Sequence, residues 1–114
     1  MTFPLEFNFS RDLKIRKSSE FKEILDKGKK LNTEHYTLVY TPNSLGSPRL
    51  GLVVGKRCGN AVKRNRIKRV LREVFRRNKP LFDSLDMLII GKKHGETLGY
   101  SRAKEEIAEA IRVV

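Results

Sequence analysis

Ile67, Val70, Leu71, Val74 and Phe75 recur at i, i+3, i+4, i+7 and i+8, the spacing that gathers side chains into one stripe along an α-helix. Almost everything around that stripe is cationic. The segment from Gly55 to Pro80 holds eleven Lys or Arg residues against one acid, Glu73. A helix with one dry face and one basic face must lay the first on a core and offer the second to a polyanion or to water. The spacing predicts this helix over 61–78. Asn60 is placed to cap it, because its side-chain oxygen can accept from an orphan amide of the first turn. Asn78 and Pro80 supply the stop. Arg64, Asn65, Lys68, Arg69, Arg72 and Arg76 are then expected around the open side. Like charges at such spacing repel in the free protein.

The turn before the helix, Lys56-Arg57-Cys58-Gly59-Asn60, has glycines at 55 and 59 that allow tight turning and close approach. With Lys56, Arg57 and Lys63 beside a helix N-terminus it reads as a phosphate seat. It is not a P-loop, since the GxxxxGK[ST] spacing is absent.

The chain has 114 residues, enough for one modest core, and a net charge of +12. Outside the basic segment, fourteen bases nearly balance twelve acids. One domain is expected over 1–114, with nucleic acid as the first candidate partner. No apolar run approaches a membrane span, and the N-terminus lacks the pattern of a signal peptide, so a cytoplasmic protein without a membrane partner is expected. The lone Cys58 excludes an internal disulfide, and no disulfide-linked partner is expected. No Cys/His set has metal-ligand spacing.

Residues 1–17 read as an arm, either a frayed terminus or an RNA contact through Arg11, Lys14, Arg16 and Lys17. Ser18 or Ser19 can cap a short helix with Phe21, Ile24 and Leu25 on its apolar face. Gly28 is expected to end it in the left-handed conformation. Residues 29–34 are a short strand or a turn. Residues 35–41 alternate as a strand, with Tyr36, Leu38 and Tyr40 on one face. Seven turn-forming residues follow, and 49–55 reads as the next strand, paired with 35–41 as an antiparallel hairpin. Residues 81–85 are a linker. The run at 86–91 is apolar on both faces, which predicts a central, covered strand. A last helix is expected after a cap at Ser101, lined by Ala103, Ile107, Ala110, Ile111 and Val114. A strand–helix–strand crossover through the basic helix requires a parallel pair. The expected class is α+β: a two-layer α/β sandwich of about four mixed strands and three helices.

No catalytic constellation stands out. His35 and His94 are not placed together, the carboxylates are scattered, and Cys58 lacks an orienting histidine. The residues describe a nucleic-acid-binding module, and charge alone does not choose RNA or DNA. Aromatics on a sheet beside basic groups suit single-stranded RNA, whose bases can stack on them. Phe21, Tyr36 and Tyr40 are the candidates, with core packing as the alternative for each. A structural RNA-binding protein of ribosomal type and a free-standing nuclease using His35 or His94 are the competing classes.

The run Gly59-Asn60-Ala61-Val62-Lys63-Arg64-Asn65-Arg66-Ile67-Lys68-Arg69 resembles the Arg-Asn-Arg signature of the bacterial ribonuclease P protein family. The strand before it, Glu20-Phe21 with Gly28, and the run 86–90 fit the same resemblance. It implies a crossover of left hand, against the usual right-handed rule. It implies that a catalytic RNA performs the cleavage with bound Mg²⁺, and that the protein has no catalytic residue. The protein would bind that RNA and the 5′ leader of precursor tRNA, whose removal leaves the mature 5′ end. Arg64, Asn65, Arg66, Lys68, Arg69 and Arg72 would touch the catalytic RNA. A cleft between the first helix and the sheet, with Phe21 and Tyr40, would hold the leader. Leu25 departs from the family's pattern, standing where an aromatic is common.

Overall fold

The computed structural model describes residue 15, residues 18–93 and residues 98–112. Its centre is β4 (Leu85–Gly91), whose neighbours are β2 (Tyr36–Pro42), antiparallel, and β3 (Arg49–Val53), parallel. The four-stranded mixed sheet has the order β1-β2-β4-β3, with β1 (Lys29–Asn32) antiparallel to β2 at the edge. A strand apolar on both faces is stable only when flanked and covered on both, and β4 obtains all of this: Met87 and Ile89 pack on one side, Leu88 on the other.

That placement overturns the expected hairpin of residues 35–41 with 49–55. β4 inserts between β2 and β3, and the loop joining them crosses the start of β4. There the Asn43 N–H donates to the Ser84 carbonyl (2.8 Å). The crossover from β3 to β4 runs through α2 (Ala61–Arg77) and one turn of helix, α3 (Lys79–Phe82). Part of the expected linker is therefore helical: Pro80 sits in the first turn of α3, where its missing N–H costs nothing.

Two apolar clusters hold the sheet. The larger joins Tyr36, Leu38, Tyr40, Leu50, Met87 and Ile89 to Ile67, Leu71, Val74 and Phe75 of α2 and to Ala103, Ile107 and Ile111 of α4 (Tyr100–Ile111). Burying each large side chain there contributes about 1.5–3 kcal/mol. The predicted α2 stripe is thus the buried face. On the other side of the sheet, Ile24 of α1 (Ser18–Lys27) and Ile15 meet Val39 and Leu88, with Phe21 and Ile90 packed against them. The α+β class and the mixed sheet are as expected; α1 adds cover on the second face, and α3 makes four α-helices.

Two helix boundaries differ from expectation for physical reasons. Gly28 does not adopt positive φ; positive-φ glycines among the described residues are Gly46 and Gly59. Glycine is needed at 28 because a Cβ would stand 2.5 Å from the Ile24 carbonyl and 2.8 Å from Val39 Cγ1. α4 begins before Ser101, at an N-cap Gly99 that makes no side-chain cap bond. Leu98 and Ala103, buried in the same cluster, occupy the positions of a hydrophobic staple and set where that helix enters. The arm expected over 1–17, apart from Ile15, and Val114 lie outside the described residues.

Candidate nucleic-acid interface

The start of α2 is built by local chemistry. Asn60 Oδ1 accepts from the Lys63 N–H (3.0 Å), as its position predicts. Gly59 has φ +119°, and a Cβ there would stand 2.7 Å from Lys63 Cδ. The preceding 3₁₀ turn, Lys56–Cys58, sorts its side chains: Lys56 and Arg57 are exposed, while Cys58 is buried with its thiol 3.5 Å from the Lys92 carbonyl. Gly55 is extended rather than tightly turned, and a Cβ there would meet nothing.

Burial divides the basic residues of α2. Lys63, Asn65, Arg66, Arg69 and Arg72 are exposed; Arg64, Lys68 and Arg76 are half-buried. Arg64, Lys68 and Arg72 follow each other at i, i+4 and i+8, one ridge along the flank of the buried stripe. Arg64 Nε is shielded from solvent and has no hydrogen-bond partner. A buried donor left this way costs about 1–3 kcal/mol. The last turn is different. Glu73 accepts from Arg76 Nε (3.1 Å) and pairs with Arg77 Nε (3.0 Å), and the Arg77 guanidinium lies 4.7 Å from the centre of the Tyr100 ring. The hydrogen bond from Arg76, with the charge of both arginines, holds the Glu73 carboxyl below its ordinary range. The ion pairs resolved along α2 therefore gather in its last turn. Periodicity alone did not show this, although Arg76 at i+3 from Glu73 was a signal for it.

The expected aromatic cleft is not brought together. Tyr36 and Tyr40 are 1% and 8% exposed and point under α2 and α4, and burial pushes the Tyr36 hydroxyl up. Phe21 lies across the sheet on the α1 side. The alternation in β2 was read correctly, but the face carrying the tyrosines is the core face. Strand register identifies the other face in rows: Thr41, Asp86 and Arg49; then Val39, Leu88 and Gly51; then Thr37, Ile90 and Val53. Gly51 was not singled out by the sequence. Its missing side chain makes room for the Phe21 ring, since a Cβ would stand 2.9 Å from Phe21 Cζ. Ile15, Phe21, Leu50, Gly51, Leu52, Lys68 and Arg72 line a groove of about 170 Å³. The basic ridge of α2 and the aromatic of α1 thus border one concavity; Leu25 and Val53 are exposed.

His35 is no isolated surface residue. Its backbone N–H (2.7 Å) and ring Nδ1 (2.8 Å) both meet the Glu106 carboxylate, which also accepts from the Thr33 hydroxyl. Burial raises the Glu106 carboxyl, but the bonds from Thr33 and His35 outweigh it and hold it below the usual range. The set ties the β1–β2 turn to α4. His94 lies outside the described residues. Among the described residues, no three His, Cys, Asp or Glu side chains gather as a metal site, and no helix is long and apolar enough to cross a membrane.

A mixed sheet that seats a one-sided basic helix beside an aromatic groove defines a polyanion-binding α+β domain. The comparisons with known proteins are specific. The sequence model of the family "Ribonuclease P" matches residues 9–114. The ribonuclease P protein component of Syntrophus aciditrophicus is 45% identical over 95 residues, 82% of this chain and 80% of that one. That of Citrifermentans bemidjiense is 38% identical, covering 91% and 90%. The RNase P protein of Thermotoga maritima, solved with 1-(4-fluorophenyl)-2-thiourea, superposes with a TM-score of 0.79 at 30% identity over 88% of this chain and 98% of that one. The Staphylococcus aureus RNase P protein gives 0.79 at 26% identity, over 89% and 94%. The chain belongs to the ribonuclease P protein family. It is a protein subunit of the ribonucleoprotein enzyme that processes the 5′ end of tRNA, and its partner is RNA.

Proposed function

We propose that α2 and the turn before it dock this chain on the catalytic RNA of ribonuclease P, and that the groove beside Phe21 holds the 5′ leader of precursor tRNA. The observation that carries this reading is the one-sided burial of α2. Its apolar stripe is sealed in the core while Lys63, Asn65, Arg66, Arg69 and Arg72 face outward, with Lys56 and Arg57 extending the surface. Arg64 and Lys68 join that contact from the groove side. Arg76, half-committed to Glu73, contributes less.

The protein's work is electrostatic and steric. Lysines and arginines neutralise phosphates so that two RNA backbones can approach. Phe21 offers a ring to a leader base, a contact worth about 1–3 kcal/mol for such platforms. Tyr36 and Tyr40 support the sheet from beneath and take no part. Several described carboxylates are committed to partners, among them Asp86 to Arg49, Glu73 to Arg76 and Arg77, and Glu106 to His35 and Thr33. Mg²⁺ is assigned to the RNA subunit, where it would supply the activated nucleophile and charge stabilisation. The site of action is the cytoplasm, where precursor tRNA is made.

Leader release should be measured at low Mg²⁺ with protein alone, catalytic RNA alone, and both. Cleavage that requires the RNA and rises sharply with protein is expected. Tight RNA binding without stimulation would favour a purely structural RNA-binding role, and cleavage by protein alone would overturn the assignment of chemistry to RNA.

A further inference from the structure

Arg49 stands at the junction of three elements. Opposite Asp86 in the parallel register, it donates from Nε to Asp86 Oδ1 (2.9 Å) and from Nη2 to Asp86 Oδ2 (2.8 Å), a two-pronged fork. Asn43 of the β2–β3 loop donates to the same Oδ1 (2.9 Å). The third guanidinium nitrogen, Nη1, reaches out of the sheet to Glu20 Oε2 on α1 (3.2 Å). Glu20 immediately precedes Phe21. One row along the same face, Gly51 receives the Phe21 ring.

The hydrophobic force on α1 is non-directional, so that, beyond the fit of Phe21 against Gly51, directed contacts hold the helix in its place along the strands. A ten-residue helix is also marginal by itself. The fork is directional, and it is itself fixed by the largely buried Asp86 side chain, 12% exposed. Nothing in groove chemistry requires Arg49, which is not among the groove-lining residues. Its geometry serves the helix that carries Phe21.

We propose that Arg49 is a positioning residue for leader binding: braced on Asp86, it holds Glu20 so that α1 presents Phe21 over Gly51 at the groove. This rests on the reading that the leader occupies that groove. Lysine cannot substitute, because a single ammonium cannot grip Asp86 bidentately and reach Glu20 in a fixed direction. Glu20→Ala is the cleaner probe, since it cuts the link to α1 and leaves the Arg49–Asp86 pair in place.

The test uses reconstituted holoenzyme with the wild-type protein, Phe21→Ala, Glu20→Ala and Arg49→Lys. KM and kcat are measured on precursor tRNA with a long leader and with a leader cut to one nucleotide. Glu20→Ala and Arg49→Lys should raise KM for the long leader by about two- to fivefold, as expected for a partly exposed ion pair, with kcat and the short-leader KM unchanged. Phe21→Ala should move the same parameter further. If Phe21→Ala raises the long-leader KM and the other two variants do not, Arg49 has no positioning role. A rise shared by both substrates would reduce the network to fold maintenance and reject the proposal. If even Phe21→Ala leaves leader dependence intact, the groove reading itself fails and the proposal falls with it.

Discussion

Arg64 and Arg69 look alike in sequence, five residues apart in the same basic run, yet their surroundings differ. Arg69 is exposed, whereas Arg64 Nε is sealed off without a partner. An exposed cation meets a phosphate as a charge, and lysine does that nearly as well. With Nε turned inward, the half-buried Arg64 still carries Nη donors in a planar fork that lysine lacks. Arg64→Lys is therefore expected to weaken affinity for the catalytic RNA about tenfold, and Arg69→Lys by no more than about twofold. Filter binding at one salt concentration checks this, and equal losses would show that Arg64 acts through charge alone. Gly51 and Gly28 make the same point in reverse. Both are required by close packing against other elements, Phe21 and β2, which no local pattern announces.

At the scale of elements, α2 was legible almost completely. Its stripe, its Asn60 cap and its end at Asn78 follow from period and capping chemistry within one segment. Asn60→Ala should cost about 1 kcal/mol by leaving the Lys63 amide without its acceptor. Urea unfolding monitored by circular dichroism would show it as a lower midpoint with an unchanged slope, and an unmoved midpoint would mean that water caps the helix equally well. β4 was equally legible, because a run apolar on both faces has one stable place in a sheet. The boundary that shifted at α4 is one where a buried neighbour outweighs a local signal. Leu98 anchors the entry to α4 more strongly than Ser101 could cap it.

For the molecule as a whole, the acid limb of stability follows from three carboxylates. An Arg76 hydrogen bond lowers Glu73; burial raises Asp86 and Glu106, but Arg49 with Asn43, and Thr33 with His35, outweigh it. Each binds its proton less readily folded than unfolded, so the unfolded chain takes up more protons and stability rises with pH. That contribution is complete above the ordinary glutamate value of 4.5 and is lost as pH falls through the depressed folded values. Glu73 is more exposed, 37% against 12% for Asp86 and 17% for Glu106, so solvent screening leaves the last two in charge. Unfolding midpoints measured from neutral pH to about pH 3 should fall, and Glu106→Gln should flatten that fall. An unchanged pH profile in Glu106→Gln would remove its tie to the β1–β2 turn from the account.

The sequence by itself determined what is local or additive. These are the basic helix and its dry stripe, the concentration of charge, the covered strand at 86–91 and the parallel pair that the crossover requires. Through its eleven-residue signature it also pointed to the family. Tertiary structure decided what depends on residues far apart in the chain. Strand order placed β4 between β2 and β3. The same register turned Tyr36 and Tyr40 into core and gave the open face to Thr37, Val53 and Ile90, leaving Phe21 on the far side from the tyrosines. Period two says that side chains alternate, but not which side is dry; that is settled only when helices choose their faces. The Arg49 junction and the groove beside Phe21 likewise join residues more than twenty-five positions apart, and no spacing within a segment encodes such a meeting.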